Sequence, residues 1–235
     1  MRNNQLDTLG ITALYDLSQT QAASLLEQFD WPWDVLPHIR EWILAYGKQL
    51  DRAAYDRPAP DVWIARSARV APSSRIEGPC VIGERTELRH GAFIRGAVLV
   101  GDDCVVGNST ELKNAILFDR VQVPHYNYIG DSILGAGAHF GAGALTSNVR
   151  SDKQPVVVRA GRYDKQGSDV PTGLLKVGAF VGDGCELGCH AVLNPGTVLG
   201  KWVRVYPLTL VRGCIPEKHM IKQDGTLAAI REETT

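Results

Sequence analysis

Large aliphatic residues recur every six positions, glycine is concentrated in the same region, and the first sixty residues carry helical spacing instead. These three observations predict a mainly β fold, a parallel β-helix of hexapeptide repeats with a small N-terminal helical extension. The period runs through Ile64, Val70, Ile76, Ile82, Leu88, Ile94, Val100, Val106 and Leu112. Its phase returns as Leu175, Val181, Leu187, Leu193, Leu199, Val205 and Val211. Neither a helix nor an alternating strand repeats in sixes. A chain that turns a corner after every short strand does, and three such strands close a triangular coil of about 18 residues with the aliphatic side chains stacked inside. The 24 glycines concentrate after residue 78, as so many corners require.

Residues 1–60 read differently. Ser18-Gln19-Thr20-Gln21 has the spacing of a capping box, and Ala22, Leu25 and Leu26 then form the apolar side of a short helix. Trp31-Pro32-Trp33 breaks it. A second helix is expected from about Asp34, with Val35, Leu36, Ile39, Trp42, Ile43, Tyr46 and Leu50 on one face. Helices of this size hold no core of their own, so they are expected to cap the first coil and bury its open edge. Asp56-Arg57-Pro58-Ala59-Pro60 reads as a linker.

The solenoid is expected over 61–216, with two interruptions. Between Leu112 and Phe140 the phase slips, with Phe118 to Val123 and Ile129 to Leu134 five apart. Between Thr146 and Leu175 the repeat vanishes, which marks 149–172 as an excursion from the coil. Arg150, Lys153, Arg159, Arg162 and Lys165 stand there against Asp152, Asp164 and Asp169. Such a segment is either a solvated loop or a lid over a ligand or neighbouring subunit. After Pro216 the repeat stops, and 217–235 is expected as a polar tail with one amphipathic piece from Leu227 to Ile230.

A net charge of −1 over 235 residues provides no global field for nucleic acid or an anionic membrane, so phosphate binding must come from local clusters. The five cysteines have no framework spacing and read as free thiols. Cys185 and Cys189 lack a second pair nearby, so they read as small residues rather than metal ligands. No run reaches transmembrane length and the N-terminus has no apolar stretch of signal-peptide type, so a cytoplasmic protein is expected.

Chemistry concentrates in Pro124-His125-Tyr126-Asn127-Tyr128-Ile129-Gly130-Asp131. Counting hexads stacks Arg95 and Lys113 one coil apart on one face, places Glu111 and Tyr128 just before the corner into it, and puts Asn148 further along. His125 lies on the strand leading to Tyr128. Two stacked cations repel unless an anion lies between them, and a phosphate monoester suits a guanidinium and an ammonium. The ordinary pKa of histidine suits proton removal near neutral pH, and Glu111 is placed to orient His125. A metal site would draw on His125, His139 and His190, with His38, His90 and His219 in reserve. The chain lacks the closely spaced histidine pair of zinc-binding solenoids, and no metal is expected.

The run Gly107-Asn108-Ser109-Thr110-Glu111-Leu112-Lys113-Asn114, then His125 to Asp131, then Gly141-Ala142-Gly143 with Thr146-Ser147-Asn148, resembles the acetyltransferase domain of bifunctional glucosamine-1-phosphate acetyltransferase/N-acetylglucosamine-1-phosphate uridyltransferases. Residues 176–182, Asn194-Pro195-Gly196 and Tyr206-Pro207 are similar to the C-terminal domain of archaeal-type sugar-1-phosphate nucleotidylyltransferases. The resemblance covers about 62–216. It implies a left-handed coil, a homotrimer, and acetyl transfer from acetyl-CoA to the amine of glucosamine-1-phosphate in the biosynthesis of UDP-N-acetylglucosamine. By position it implies His125 as base with Glu111 beside it, Arg95, Lys113 and Tyr128 on the substrate phosphate, Asn148 on the sugar, and the Ala142 backbone at the acetyl thioester. His139 stands where the family has a sugar-contacting asparagine, Val149 where it has an aromatic, and Asp183 where it has a serine near the CoA arm. Residues 1–60 contain no glycine-rich nucleotide loop, so no uridyltransferase activity is expected. Two other functions fit the same residues: a non-catalytic sugar-phosphate-binding scaffold, and an acyltransferase for a different amino sugar or nucleotide sugar.

Overall fold

The computed structural model describes residues 7–162 and 168–230; Asp164 and Lys165 of the excursion lie outside them. The chain winds through three parallel faces in fixed order. The first face stacks Val62–Ala65, Cys80–Ile82, Val98–Val100, Ala179–Val181, Thr197–Leu199 and Cys214–Ile215. The second stacks Arg69–Val70, Glu87–Leu88, Val105–Asn108, Gln122–His125, His139–Phe140, Glu186–Leu187 and Arg204–Val205. The third stacks Arg75–Glu77, Phe93–Arg95, Leu145–Thr146, Val192–Leu193 and Leu210–Val211. Two long strands, Glu111–Leu117 and Tyr128–Leu134, run from the third face around a corner into the first.

The interior is the predicted one for most hexads: Ile82, Leu88, Ile94, Val100, Val106, Leu112, Val181, Leu187, Leu193, Leu199, Val205 and Val211 are buried in one cluster. The coil length changes where the phase slips. Phe93 pairs with Glu111, 18 residues on, but Glu111 pairs with Tyr128 and Tyr128 with Leu145, each 17 on. The short sides are Leu112 to Leu117 and Ile129 to Leu134. Leu117, not Phe118, therefore takes the interior position, and Phe118 turns outward against Tyr15 with ring centroids 5.0 Å apart. Leu175 is also corrected. It is 61% exposed, because the excursion is still in progress there, with Val149 bridged antiparallel to Lys176.

Among the described residues the N-terminal segment holds four short α-helices, α1 (Ile11–Leu14), α2 (Ala23–Leu26), α3 (Pro32–Val35) and α4 (Ile39–Gly47). They lie along the first face rather than over the end of the solenoid. Leu14, Leu26, Trp33, Ile39 and Ile43 pack on its outward side chains Trp63, Val81, Leu99, Ile116, Ile133, Phe180 and Val198. A Cβ at Gly47 would lie only 2.4 Å from the Trp63 ring, so glycine is what lets α4 approach this closely. Pro32 opens α3 instead of breaking a helix, since its missing N–H falls in the first turn. The capping box does not form. Asp16 accepts from the Ser18 N–H, Thr20 Oγ1 accepts from the Ala22 N–H, and Gln21 reaches across to Tyr55 Oη (3.1 Å) and Asp102 (3.2 Å).

The ends of the solenoid are closed by strands. The expected linker lies largely in β1 (Tyr55–Ala59), which pairs antiparallel with β2 (Val62–Ala65) and covers the first edge. The expected tail adds His219–Ile221 to the second face, with Ile221 fully buried one hexad beyond Ile215, and Leu227–Ala229 folds back antiparallel on it. Both hairpins protect edges that would otherwise template pairing. Among the described residues no helix is long and apolar enough to cross a membrane.

Candidate active site

The corner between the second and third faces positions the central motif. His125 ends the strand Gln122–His125. Its N–H donates to Asn127 Oδ1 (3.0 Å), and its carbonyl accepts from the Gly143 N–H on the next coil (3.0 Å). The backbone is thus held on both sides while the ring is exposed and has no side-chain partner among the described residues. Asn127, which had no assignable role in the sequence, is the post on which this corner turns. It is buried, and its amide donates to the carbonyls of Gly141 and Ala144, each at 2.9 Å. Ala142 sits between those anchors. Its carbonyl accepts from the His190 N–H, and its own N–H makes no hydrogen bond within the described residues.

Past the corner the third face carries the polar strip. Arg95 and Lys113 occupy adjacent coils, because Ile94 pairs with Leu112. They do not form the mutually repelling pair expected. Arg95 Nη1 donates to Glu111 (3.0 Å), and Lys113 Nζ donates to both oxygens of Asp131 (2.9 and 3.2 Å). Each cation has its own carboxylate, so no bound anion is needed to hold them. Glu111 is therefore a partner of Arg95 rather than the orienting group for His125.

Asp131 is the hub that the sequence reading left unassigned. It is only 3% exposed and accepts from Lys113, from Asn114 Nδ2 (2.9 Å) and from Asn148 Nδ2. A buried carboxylate is tolerable only with such partners. Its signal was legible: Asn114, Asp131 and Asn148 are 17 residues apart, the length of the shortened coil, and Asn114 and Asp131 both adopt left-handed φ (49° and 48°) that Asn and Asp tolerate. Asn148 thus follows the corner track of Asp131, one position past the row of Lys113. Its Nδ2 also donates to Tyr128 Oη at 3.2 Å. Burial, then the charges of Asp131 and Glu111, push the Tyr128 phenol above its usual pKa, so it stays a neutral hydroxyl. The Tyr128 ring lies across Gly130, where a Cβ would come 2.5 Å from Oη.

Two predicted residues fall elsewhere. His139 is on the second face, three positions before Ala142, with Nδ1 3.0 Å from Glu186. Asp183 is structural: it accepts from the Asp16 N–H (2.8 Å) and the Ala136 N–H (2.9 Å) and pairs with Lys201 (3.0 Å), which pins the N-terminal segment to the coil. Both carboxylate oxygens thus have protein partners. His190 occupies the second-to-third corner with its ring over Gly143. Among the described residues no three His, Cys, Asp or Glu side chains form a metal-holding group.

The excursion folds back on the solenoid. Val157–Val158 pairs with Val170–Pro171, and Val156 and Val158 are buried against the first-face cluster. Its outer part, with Ser147, Asn194 and Arg212 of the third face, walls a cleft of about 450 Å³.

Comparison with known proteins adds identity to this geometry. The family described as the GMPPB C-terminal domain matches residues 76–159. The bifunctional sugar-1-phosphate nucleotidylyltransferase/acetyltransferase of Sulfurisphaera tokodaii is 28% identical over 226 residues, covering 88% of this chain and 55% of that protein. The chain thus spans about half the length of that relative. The uncharacterized acetyltransferase YaiX of Escherichia coli O6:K15:H31 is 30% identical over 166 residues, covering 71% of this chain and 70% of that protein. Among solved structures, the acetyltransferase domain of PglB from Neisseria gonorrhoeae, in complex with acetyl coenzyme A, aligns with a TM-score of 0.34 and 16% identity over 68% of this chain and 54% of that one.

Proposed function

The chain belongs to the hexapeptide-repeat acetyltransferases, and from that premise we propose that it transfers acetyl from acetyl-CoA to the amine of a phosphorylated amino sugar of the glucosamine-1-phosphate type, with His125 as general base. The observation that carries this reading is His125 itself. Its backbone is fixed from two sides, its ring is exposed with no partner among the described residues, and on the next coil the Ala142 N–H makes no hydrogen bond among them either.

In this mechanism the amine nitrogen attacks the thioester carbonyl carbon. His125 takes the proton from that nitrogen, the Ala142 N–H donates to the developing oxyanion, and the C–S bond breaks. CoA leaves as the thiol carrying the proton that the imidazole held, and no covalent acyl-enzyme is required. Arg95 is the cation that can turn to the substrate phosphate, because its pair with Glu111 is exposed to water and such pairs hold only weakly. Lys113 is held by Asp131 and acts by fixing the strip. Tyr128 and Asn148 present a hydroxyl and an amide to the sugar.

Free-thiol release from acetyl-CoA with a panel of amino-sugar phosphates and nucleotide-linked amino sugars tests the reading. His125→Ala should lower kcat by about 10²–10⁴ with an unchanged melting temperature, and a loss under about threefold would remove His125 from the base role. In the same reading three copies assemble so that a neighbour walls the third face. Tyr126, Leu208 and Leu210, which are 67%, 70% and 58% exposed, are apolar surface for it to cover. A monomeric mass in solution would overturn that assembly.

A further inference from the structure

We propose that the cleft between the excursion and the last coils is a binding site for a phosphoanhydride group, two linked phosphates, centred on Arg212. Ser147, Asn194 and Arg212 directly follow Thr146, Leu193 and Val211, which pair in register, so the three rise coil by coil along the third face. Adjacent coils are about 4.8 Å apart, which spreads this row over about 10 Å. The excursion brings Arg150, Ser151 and Arg159 over it, and the open cleft between them has a volume of about 450 Å³.

The charge pattern differs from that of Arg95 and Lys113. Arg150 pairs with Asp152, and Arg159 pairs with Asp169 at 2.6 Å, both on the excursion. Arg212 has no carboxylate partner among the described residues, and neither do the hydroxyls of Ser147 and Ser151 have a protein partner there. Three guanidinium groups line the cleft against a single lining acid, Asp152. An anion with oxygens at one point would reach only one end of this row. Two linked phosphates present oxygens along it, with the fork of Arg212 as the main contact. This site stands on the shape and charge of the cleft and does not depend on the acetyl-transfer reading. Both CoA and a nucleotide-linked sugar carry the required group.

Calorimetric titration with sodium pyrophosphate at fixed ionic strength tests it. One equivalent should bind per chain. Arg212→Ala should weaken binding by about tenfold or more, and Ser151→Asp, which places a carboxylate in the exposed rim, should weaken it similarly without unfolding the protein. Arg204→Ala, the same charge change on the second face, should leave affinity within about twofold. No binding at millimolar pyrophosphate, or equal losses in the Arg204 and Arg212 variants, would overturn the site. Displacement of pyrophosphate by CoA assigns the group to the acyl donor, and displacement by UDP assigns it to a nucleotide-linked acceptor. If neither displaces it, the proposal fails. His125→Ala should bind pyrophosphate as the wild type does, so a failure here is separable from a failure of the proposed chemistry.

Discussion

The first and third faces of the solenoid share one backbone and one interior, yet they differ in everything that points outward. On the first face the outward residues are Val81, Leu99, Ile116, Ile133, Phe180 and Val198, all buried under the N-terminal helices. On the third face the same pleat presents Phe93, Glu111 and Tyr128, with Arg95, Lys113 and Ser147 beyond the inward residue. The interior hexads hold the coils together on both. A solenoid therefore assigns work face by face: the inward residue of each hexad sets the fold, and its neighbours decide whether that face is covered or chemical.

The sharpest way to break this comparison is to strip the cover. Trp33 is 2% exposed and tilts against Phe180 with centroids 5.8 Å apart. Trp33→Ala should cost about 3–5 kcal/mol, read from urea unfolding midpoints, while the kcat of the remaining folded protein stays near wild type. A cost below about 1 kcal/mol would mean that the helices add little to the stability of the first face.

How far the sequence foresaw this division depends on the face. The interior was legible because burial constrains one residue in six absolutely. The first face was legible too, had its triplets been weighed: Cys80-Val81-Ile82, Val98-Leu99-Val100 and Ala179-Phe180-Val181 are apolar at every position, as strands buried on both sides are. That pattern places the helices along the face and not over the end. The site was half legible. The stacking of Arg95 on Lys113 and of Glu111 on Tyr128 follows from spacing alone. Which carboxylate each cation chooses does not, because Asp131 reaches Lys113 from a corner with left-handed φ that hexad counting ignores. The structural partners of Asp183 are hidden for a related reason: Asp16 and Ala136 are 167 and 47 residues away, and no local pattern records them.

Within the third face, the two ion pairs should separate by burial. Asp131→Ala leaves Lys113, Asn114 and Asn148 aimed at an empty corner and should cost about 3 kcal/mol. Replacing both partners, Lys113→Met with Asp131→Leu, should recover much of that, since the buried charge is then removed rather than orphaned. Glu111→Gln, at the exposed pair, should change stability far less than Asp131→Ala does. Equal costs at the two carboxylates would refute the view that Asp131 is the structural hub of the strip.

The seam where the cover meets the solenoid offers the smallest and most selective test. Burial pushes the Tyr55 phenol up to about 12, and Tyr55 Oη accepts a hydrogen bond from Gln21. The unfolded chain ionises this group near its ordinary value of about 10, so above that pH the unfolded state binds fewer protons than the native state. The stability contribution is full below pH 10 and is lost as pH rises toward 12. Tyr55→Phe should thus lie below wild type at pH 8, by the lost hydrogen bond, and the gap should narrow as unfolding is measured at pH 10 and then 11. Tyr15, Tyr46 and Tyr128 are also shifted upward, so both proteins weaken in alkali, and only the difference between them reports on Tyr55. A gap that stays constant across that range would place the Tyr55 hydroxyl in water and lift this edge of the helical cover off the first face.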